Sequence, residues 1–273
     1  MQDPDAPRLH ITGRTAVLFI MGDPIDHVIG TDVLNRTWVE TGRALVTVPL
    51  QVRAADLPYM LDMLRRAPNV AGTGITIPHK IAAVALVDHL TDAALQAGAV
   101  NFIRRNADGT LTGHNVDGAG FVAGLAAQGV AATGRDVLML GAGGVGRAIA
   151  FAMAGGGARS LTIRNRDVAR ARALADAIRD SGVAPGCALH VGDGPTPGLI
   201  INATALGMDP DDPLPLPADQ IPLGAIVAEV VMTPAITPLL TAAQARNCRI
   251  VPGRAMMDPQ AGLVGAFLDG TPA

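Results

Sequence analysis

The stretch from Asp136 to Arg170 constrains this chain more than any other. Val137-Leu-Met-Leu140 is an apolar run of strand length. It leads into Gly141-Ala142-Gly143-Gly144-Val145-Gly146, a match to G-x-G-x-x-G, and Gly144 to Ala154 then has helical composition. In such a loop the first glycine permits the tight turn, the second lets the backbone approach a pyrophosphate, and the third lets helix pack on strand. The helix N-terminus adds unpaired N–H groups and the positive end of its dipole. With the strand Leu161-Thr-Ile163 after it, this unit predicts a dinucleotide site that includes Gly141, Ala142, Gly143, Gly144 and Val145.

The end of the second strand selects the dinucleotide. An NAD site carries an acid about 20 residues on that accepts from the ribose 2′-hydroxyl. Here the strand ends in Arg164-Asn165-Arg166, with Arg170 one helical turn further on. Guanidinium groups attract a 2′-phosphate and bond it in pairs. Asp167 dissents, unless its carboxylate caps the following helix. NADP(H) is therefore the expected cofactor, with Arg166 and Arg170 on it.

Elsewhere, short apolar runs alternate with helical spacing. Strands are expected at 16–21, 45–50, 74–77, 137–140, 161–163, 199–201 and 225–227. Helices are expected at 34–41, 55–66, 79–86, 117–125, 144–154, 168–178, 237–245 and 261–268. Residues 99–113 read as a hairpin turning at Ala107-Asp-Gly109. The alternation predicts an α/β fold with two largely parallel sheets. The first eight or so residues read as a polar tail.

The chain has 273 residues and a net charge of −3, without a basic stripe, which argues against nucleic acid. Cys187 and Cys248 have no ligand spacing, so neither a disulfide framework nor a metal site is expected. No apolar run reaches the ~18 residues of a membrane span, and no signal peptide is visible. A cytoplasmic protein with no membrane contact, monomeric or homodimeric, acting on a small molecule, is the expectation.

Two more residues invite chemistry. Thr76-Ile-Pro78-His79-Lys80 sets a lysine after a strand end, and Asn115-Val116-Asp117-Gly118 sets a carboxylate before a helix. A Lys/Asp pair can hold a substrate hydroxyl and move its proton. Taken locally, an exposed lysine and a helix-capping aspartate explain them as well.

At this point the motifs converge. Gly22-Asp-Pro-Ile25, Thr76 to Lys80, Ala97-Gly-Ala-Val-Asn101, Asp108-Gly-Thr-Leu111, Asn115 to Gly118, Gly141 to Gly144, Asn165-Arg166, Ile201-Asn-Ala-Thr204, Thr237-Pro-Leu-Leu240 and Gln260 occur in an order that resembles the shikimate dehydrogenases. The likeness runs over about residues 10–270. It implies a substrate-binding and catalytic domain at 1–118, completed by the C-terminal helix at about 253–273, and a Rossmann-type NADP-binding domain at 119–252, with a cleft between them. It implies hydride transfer between a ring secondary alcohol, shikimate or a relative, and NADP+, in aromatic amino acid biosynthesis. By motif position Lys80 and Asp117 become the catalytic pair. Thr76, Asn101 and Gln260 fall on the substrate, Asn165 with Arg166 and Arg170 on the cofactor, and Val230 and Gly253 near the nicotinamide.

The departures fall on the substrate side. Where the family carries Ser-x-Ser for the substrate carboxylate, this chain has Val28-Ile29-Gly30. A usual tyrosine is Met232, a usual Thr is Val116, and a usual Thr or Ser is Phe102. Val28, Gly30 and Met232 are thus expected to line an altered substrate end, with His27 bordering it, and the substrate to be less acidic or more apolar than shikimate. His79 and His114 stand as candidates to tune Lys80 or touch substrate, and Asp92 to approach the nicotinamide. Two other readings remain open: an NAD-dependent quinate/shikimate dehydrogenase, and a non-catalytic sensor of NADP or a ring acid on the same fold.

Overall fold

Strands form where Val-, Ile- and Leu-rich runs meet turn residues, and helices where apolar residues recur every three to four positions. The computed structural model describes residues 10–26, 28 and 30–270. The expected polar tail and His27 lie outside the described residues. The chain divides into two units, residues 1–116 with 261–273 and residues 117–260.

The first unit contains β1 (Ala16–Gly22), α1 (Gly30–Glu40), β2 (Leu45–Gln51), α2 (Leu57–Arg66), β3 (Val70–Ile75), β4 (His89–Leu90), α3 (Asp92–Ala97), β5 (Phe102–Arg105) and β6 (Leu111–His114). The sheet order is β2-β1-β3-β5-β6-β4. β1 runs parallel to β2 and β3, while the β5–β6 hairpin places β5 antiparallel to β3. Gly72 permits that join. Its φ is +156°, and a Cβ there would lie 2.0 Å from the Ile103 carbonyl oxygen of β5.

Side chains of β1 divide between the faces with the period of two that a strand imposes. Leu18 and Ile20 pack with Leu34, Trp38, Phe102 and Val116, whereas Met21 packs with Leu57, Leu61 and Ile103. The expected helix at 79–86 is instead a set of turns with a short 3-10 segment at Ala82–Ala85. The Lys80 carbonyl is taken by the Val100 N–H at 2.8 Å, so the Val84 N–H bonds Ile81 instead of the residue four back.

The second unit contains α4 (Asp117–Ala127), β7 (Asp136–Leu140), α5 (Gly144–Gly155), β8 (Ser160–Arg164), α6 (Val168–Ser181), β9 (Ala188–Val191), β10 (Leu199–Asn202), β11 (Ile226–Glu229), α7 (Pro238–Ala245) and β12 (Arg249–Val251). Its sheet order is β12-β11-β10-β7-β8-β9, with each neighbouring pair parallel. Val137 and Met139 of β7 face one apolar cluster, Leu138 and Leu140 the other. Covering both faces in this way is what a parallel sheet requires. On α6, Ala171, Leu174, Ala175 and Ile178 form the buried stripe.

Strand order reverses between β7 and β10, which are neighbours. Open parallel sheets bind ligands outside the carboxyl ends of the strands at such a switch point.

The last helix, α8 (Gln260–Leu268), sends Val264 and Phe267 into the first unit's cluster with Trp38. Arg104 Nη1 donates to the Phe267 carbonyl at 2.8 Å, and Arg43 pairs with Asp269. Residues 253–260, assigned from the sequence to the first unit, fall in the second, as do Asp117 and Gly118. Packing explains this. A Cβ on Gly118 would lie 2.6 Å from the Ala148 carbonyl oxygen, and one on Gly124 2.3 Å from that of Ala255. Among the described residues no helix is long and apolar enough to cross a membrane.

Candidate active site

In the second unit the glycine loop leaves β7 at the switch point. Gly141 has φ +103°, and a Cβ there would lie 2.9 Å from the Ala203 carbonyl oxygen just past β10. A Cβ on Gly146 would lie 2.5 Å from the Gly141 carbonyl oxygen, so the third glycine lets α5 close on the strand. Gly143 is different: a Cβ there would meet nothing within 4 Å. Protein packing demands the first and third glycines, while the second leaves room for a group outside the protein.

Beside this loop lies a cavity of about 760 Å³ lined by Gly141, Asn165, Arg166, Arg170, Thr204 and Leu206. Asn165 fastens one wall: its Oδ1 accepts the Ala142 N–H at 3.1 Å, and its Nδ2 donates to the Asp167 carbonyl at 2.9 Å. Asp167 is the N-cap of α6, its carboxylate accepting the Ala169 N–H at 3.0 Å and the Arg170 N–H at 3.4 Å. The dissenting acid is therefore turned to the backbone.

The three arginines differ. Arg164 is committed to the fold, donating to the Gly192 carbonyl at 2.7 Å and to Gln220 at 3.1 Å. Arg170 reaches Asp167 at 3.6 Å, both exposed, a pairing worth little. Arg166 is exposed and pairs with no acid among the described residues.

The two residues expected near the nicotinamide meet each other. A Cβ on Gly253 would lie 2.7 Å from the Val230 carbonyl carbon, so Val230 and Gly253 are in contact. Asp117, 5% exposed, opens α4, and the Gln260 side chain lies against Gly120, three residues along the same helix face. Met232 follows β11 and is half-buried.

In the first unit, backbone bonds tie Thr76, Lys80 and Asn101 to neighbouring positions. The Ile75 N–H donates to the Asn101 carbonyl at 2.7 Å, the His79 N–H to Thr76 at 2.9 Å, and the Val100 N–H to Lys80 at 2.8 Å. The Asn101 Oδ1 accepts the Val116 N–H at 3.0 Å, which orients its amide. Lys80 and Asp117 belong to different units.

His79 is a packing residue. It is 1% exposed, and its Nε2 bonds the Val52 carbonyl at 2.7 Å. His114 is also buried; its Nδ1 bonds Thr91 Oγ1 at 2.7 Å and its ring stacks on Phe267. Burial, with the nearby Arg104 charge second, pulls His114 down to about 4, so it is neutral at neutral pH. Asp92 sits in the first turn of α3, which Thr91 caps.

The substrate-side departures separate into two groups. Val116 is 0% and Phe102 9% exposed, both inside the apolar cluster with Leu18 and Trp38. Both are core residues. Val28 packs partly against the same cluster and Gly30 opens α1. Among the described residues no cluster of three or more His, Cys, Asp or Glu could hold a metal. Sequence reasoning gave no separate role to Thr204 and Leu206, which line the cavity; the Ile201-Asn-Ala-Thr204 motif was the available signal.

Comparison with known proteins bears on this arrangement. Residues 20–103 match the model of the shikimate dehydrogenase substrate binding domain, and residues 124–185 that of shikimate/quinate 5-dehydrogenase. A shikimate dehydrogenase (NADP(+)) of Moorella thermoacetica is 34% identical over 91% of this chain and 86% of its own length. The shikimate 5-dehydrogenase of Thermus thermophilus, solved with NADP(H) and shikimate, superposes with a TM-score of 0.84 at 30% identity, covering 94% of both chains. The ligand-free 5-ketofructose reductase of Gluconobacter sp. strain CHM43 also gives 0.84, at 29% identity over 95% of this chain and 94% of that one. The chain belongs to the shikimate dehydrogenase family.

Proposed function

We propose that this protein is an NADP(H)-dependent dehydrogenase that transfers a hydride between a ring secondary alcohol, shikimate or a shikimate-like compound, and NADP+. The observation that carries the cofactor reading is the division of labour at the end of β8. Asp167 is consumed as a helix cap, while Arg166 stands at the cavity edge without an acid partner among the described residues. A 2′-phosphate fits such a site, and a 2′-hydroxyl gains nothing from it. The glycine loop from Gly141 to Val145 would hold the pyrophosphate, Asn165, Arg166 and Arg170 the adenosine end, and Val230 with Gly253 the nicotinamide. When bound, the dinucleotide supplies the hydride acceptor or donor. The related proteins named for NADP(+) and solved with NADP(H) support the same reading.

On the substrate, Lys80 and Asp117 hold the reacting hydroxyl and take its proton as the C–H bond gives up its hydride. Asn101, with its Oδ1 already engaged by the Val116 N–H, turns its Nδ2 to a ring hydroxyl. Thr76 and Gln260 bind the others.

The carboxylate end favours a less acidic substrate. Val28 and Gly30 offer no hydroxyl, and Asp23 and Asp26, just before them in the sequence, repel an anion. A relative named for 5-ketofructose, a substrate without a carboxylate, supports this direction. The test is steady-state kinetics with shikimate, quinate, aminoshikimate and uncharged cyclic alcohols or keto-polyols, each with NADP+ or NADPH and with NAD+ or NADH. The expected result is turnover with the phosphorylated cofactor and a preference for an uncharged compound. A kcat/KM for shikimate of about 10⁶ M⁻¹s⁻¹ would abolish the changed-substrate reading. Tight NADP(H) binding with no turnover of any compound would point to a sensor.

A further inference from the structure

Glu229, the last residue of β11, is 1% exposed, and no cation pairs with it among the described residues. Its Oε2 accepts the Thr237 hydroxyl at 3.0 Å and the Asn202 amide at 3.5 Å, while its Oε1 has no hydrogen-bond partner among the described residues. An unpaired buried carboxylate is far costlier than the acid form, and burial raises its pKa accordingly. Burial thus favours the acid form, while the Thr237 and Asn202 bonds oppose it.

The bonds leading away from it end at the cofactor cavity. Asn202 Nδ2 also donates to the Leu206 carbonyl at 3.1 Å, and Asn202 Oδ1 accepts the Thr204 N–H at 3.1 Å and the Thr204 hydroxyl at 2.6 Å. The Leu206 N–H donates to Thr204 Oγ1 at 3.1 Å. Thr204, Ala205 and Leu206 are one wall of the cavity, and Ala203 is the residue against which Gly141 fits. The residue after Glu229, Val230, bonds β10 through its N–H to the Asn202 carbonyl at 3.1 Å. One buried acid at the end of β11 is thus linked through Asn202 to the Thr204 wall.

We propose that Glu229 is a positioning residue for the dinucleotide: through Asn202 it fixes the Ala203–Leu206 wall against the glycine loop. This rests on the cofactor reading above. Connected polar networks lose more than one bond when a member is removed.

The experiment uses the full chain and measures NADPH dissociation constants by fluorescence, together with KM for NADP+ and kcat. Glu229→Leu keeps the volume and removes the bonds; Glu229→Gln keeps a neutral amide in the same shape. Glu229→Leu is expected to raise Kd and KM for the cofactor roughly tenfold with kcat within about twofold. Glu229→Gln is expected to stay within about twofold of the native chain. Thr204→Val, which breaks the far end of the network without altering the core, is expected to repeat the cofactor-specific loss and carries the test if Glu229→Leu does not fold. Unchanged cofactor affinity in Thr204→Val, or a loss in Glu229→Gln as large as in Glu229→Leu, overturns the proposal while leaving the cofactor reading intact. A native chain that binds neither dinucleotide overturns both.

Discussion

Asn165 Oδ1 accepts the N–H of Ala142 at 3.1 Å, fastening the end of β8 to the glycine loop of the neighbouring strand. The same side chain donates to the Asp167 carbonyl. Asn165→Ala removes both bonds at a half-buried position that contributes little to the core. At roughly 0.5–1.5 kcal/mol per bond, about 1–3 kcal/mol for the two, NADP+ affinity is expected to fall about five- to 150-fold, with the melting temperature nearly unchanged. Fluorescence titration beside a thermal melt separates the two effects. A large drop in melting temperature with unaltered affinity would make Asn165 a fold residue only.

Arg164 and Arg166 flank Asn165 and are expected to behave differently. Arg166→Ala is expected to lower the preference for NADP+ over NAD+ by roughly tenfold or more, as for a lost charge-assisted bond of about 1.5–3 kcal/mol. Arg164→Ala removes bonds to Gly192 and Gln220 and is expected to lower stability while leaving that preference within about twofold. The ratio of kcat/KM for the two cofactors checks both. Equal loss of preference in the two variants would contradict the assignment.

The second unit was the more legible from sequence. Its strands are buried on both faces and read as unbroken apolar runs, as at Val137–Leu140 and Leu199–Ile201. β9 and β12 escaped notice because Ala188 and Arg249, at their starts, are exposed and break the apolar pattern at a sheet edge. The start of β3 escaped because Gly72 reads as a breaker, although it serves the close approach of β5. At the site, the glycine loop and the Asp167 cap were readable from local spacing. The Glu229 network was not: it joins residues 202, 204, 229 and 237, and a lone glutamate at a strand end reads as surface.

His114 links stability to acid. Its pKa falls from 6.5 to about 4 through burial and then the Arg104 charge, so the folded state favours the neutral ring. The stability this provides is present above pH 6.5 and is lost as pH falls through about 4. The gap caps the linked stability at roughly 3 kcal/mol. In urea unfolding at pH 7 and pH 4, His114→Gln is expected to lose less stability between the two than the native chain. An identical loss would mean that His114 is not the responsible group.

Glu229 works in the opposite direction. Its carboxyl is raised by burial, the Thr237 and Asn202 bonds opposing. The stability linked to its protonated form is present below the ordinary carboxylate range and lost as pH rises through the raised value. Relative to the native chain, Glu229→Gln is expected to gain stability from acid towards alkaline pH. Parallel stability profiles for the two proteins would argue that the carboxyl titrates normally.

The substrate end gives the last expectation. Gly30 is the first residue of α1, and serine suits a helix start. Val28 is only partly buried, and Val28→Ser is expected to cost about 1 kcal/mol of apolar packing. Two serines there restore hydroxyl donors where a carboxylate is expected, and bonds to a charged group are worth roughly 1.5–3 kcal/mol each. The double variant Val28→Ser, Gly30→Ser is therefore expected to raise kcat/KM for shikimate at least about tenfold, mainly through KM, while an uncharged substrate gains nothing. Measuring both compounds on both proteins decides it. If shikimate turnover stays flat while the variant remains folded, the repulsion by Asp23 and Asp26, not the missing hydroxyls, sets the preference. Asp26→Asn in the same background is then the variant that should recover it.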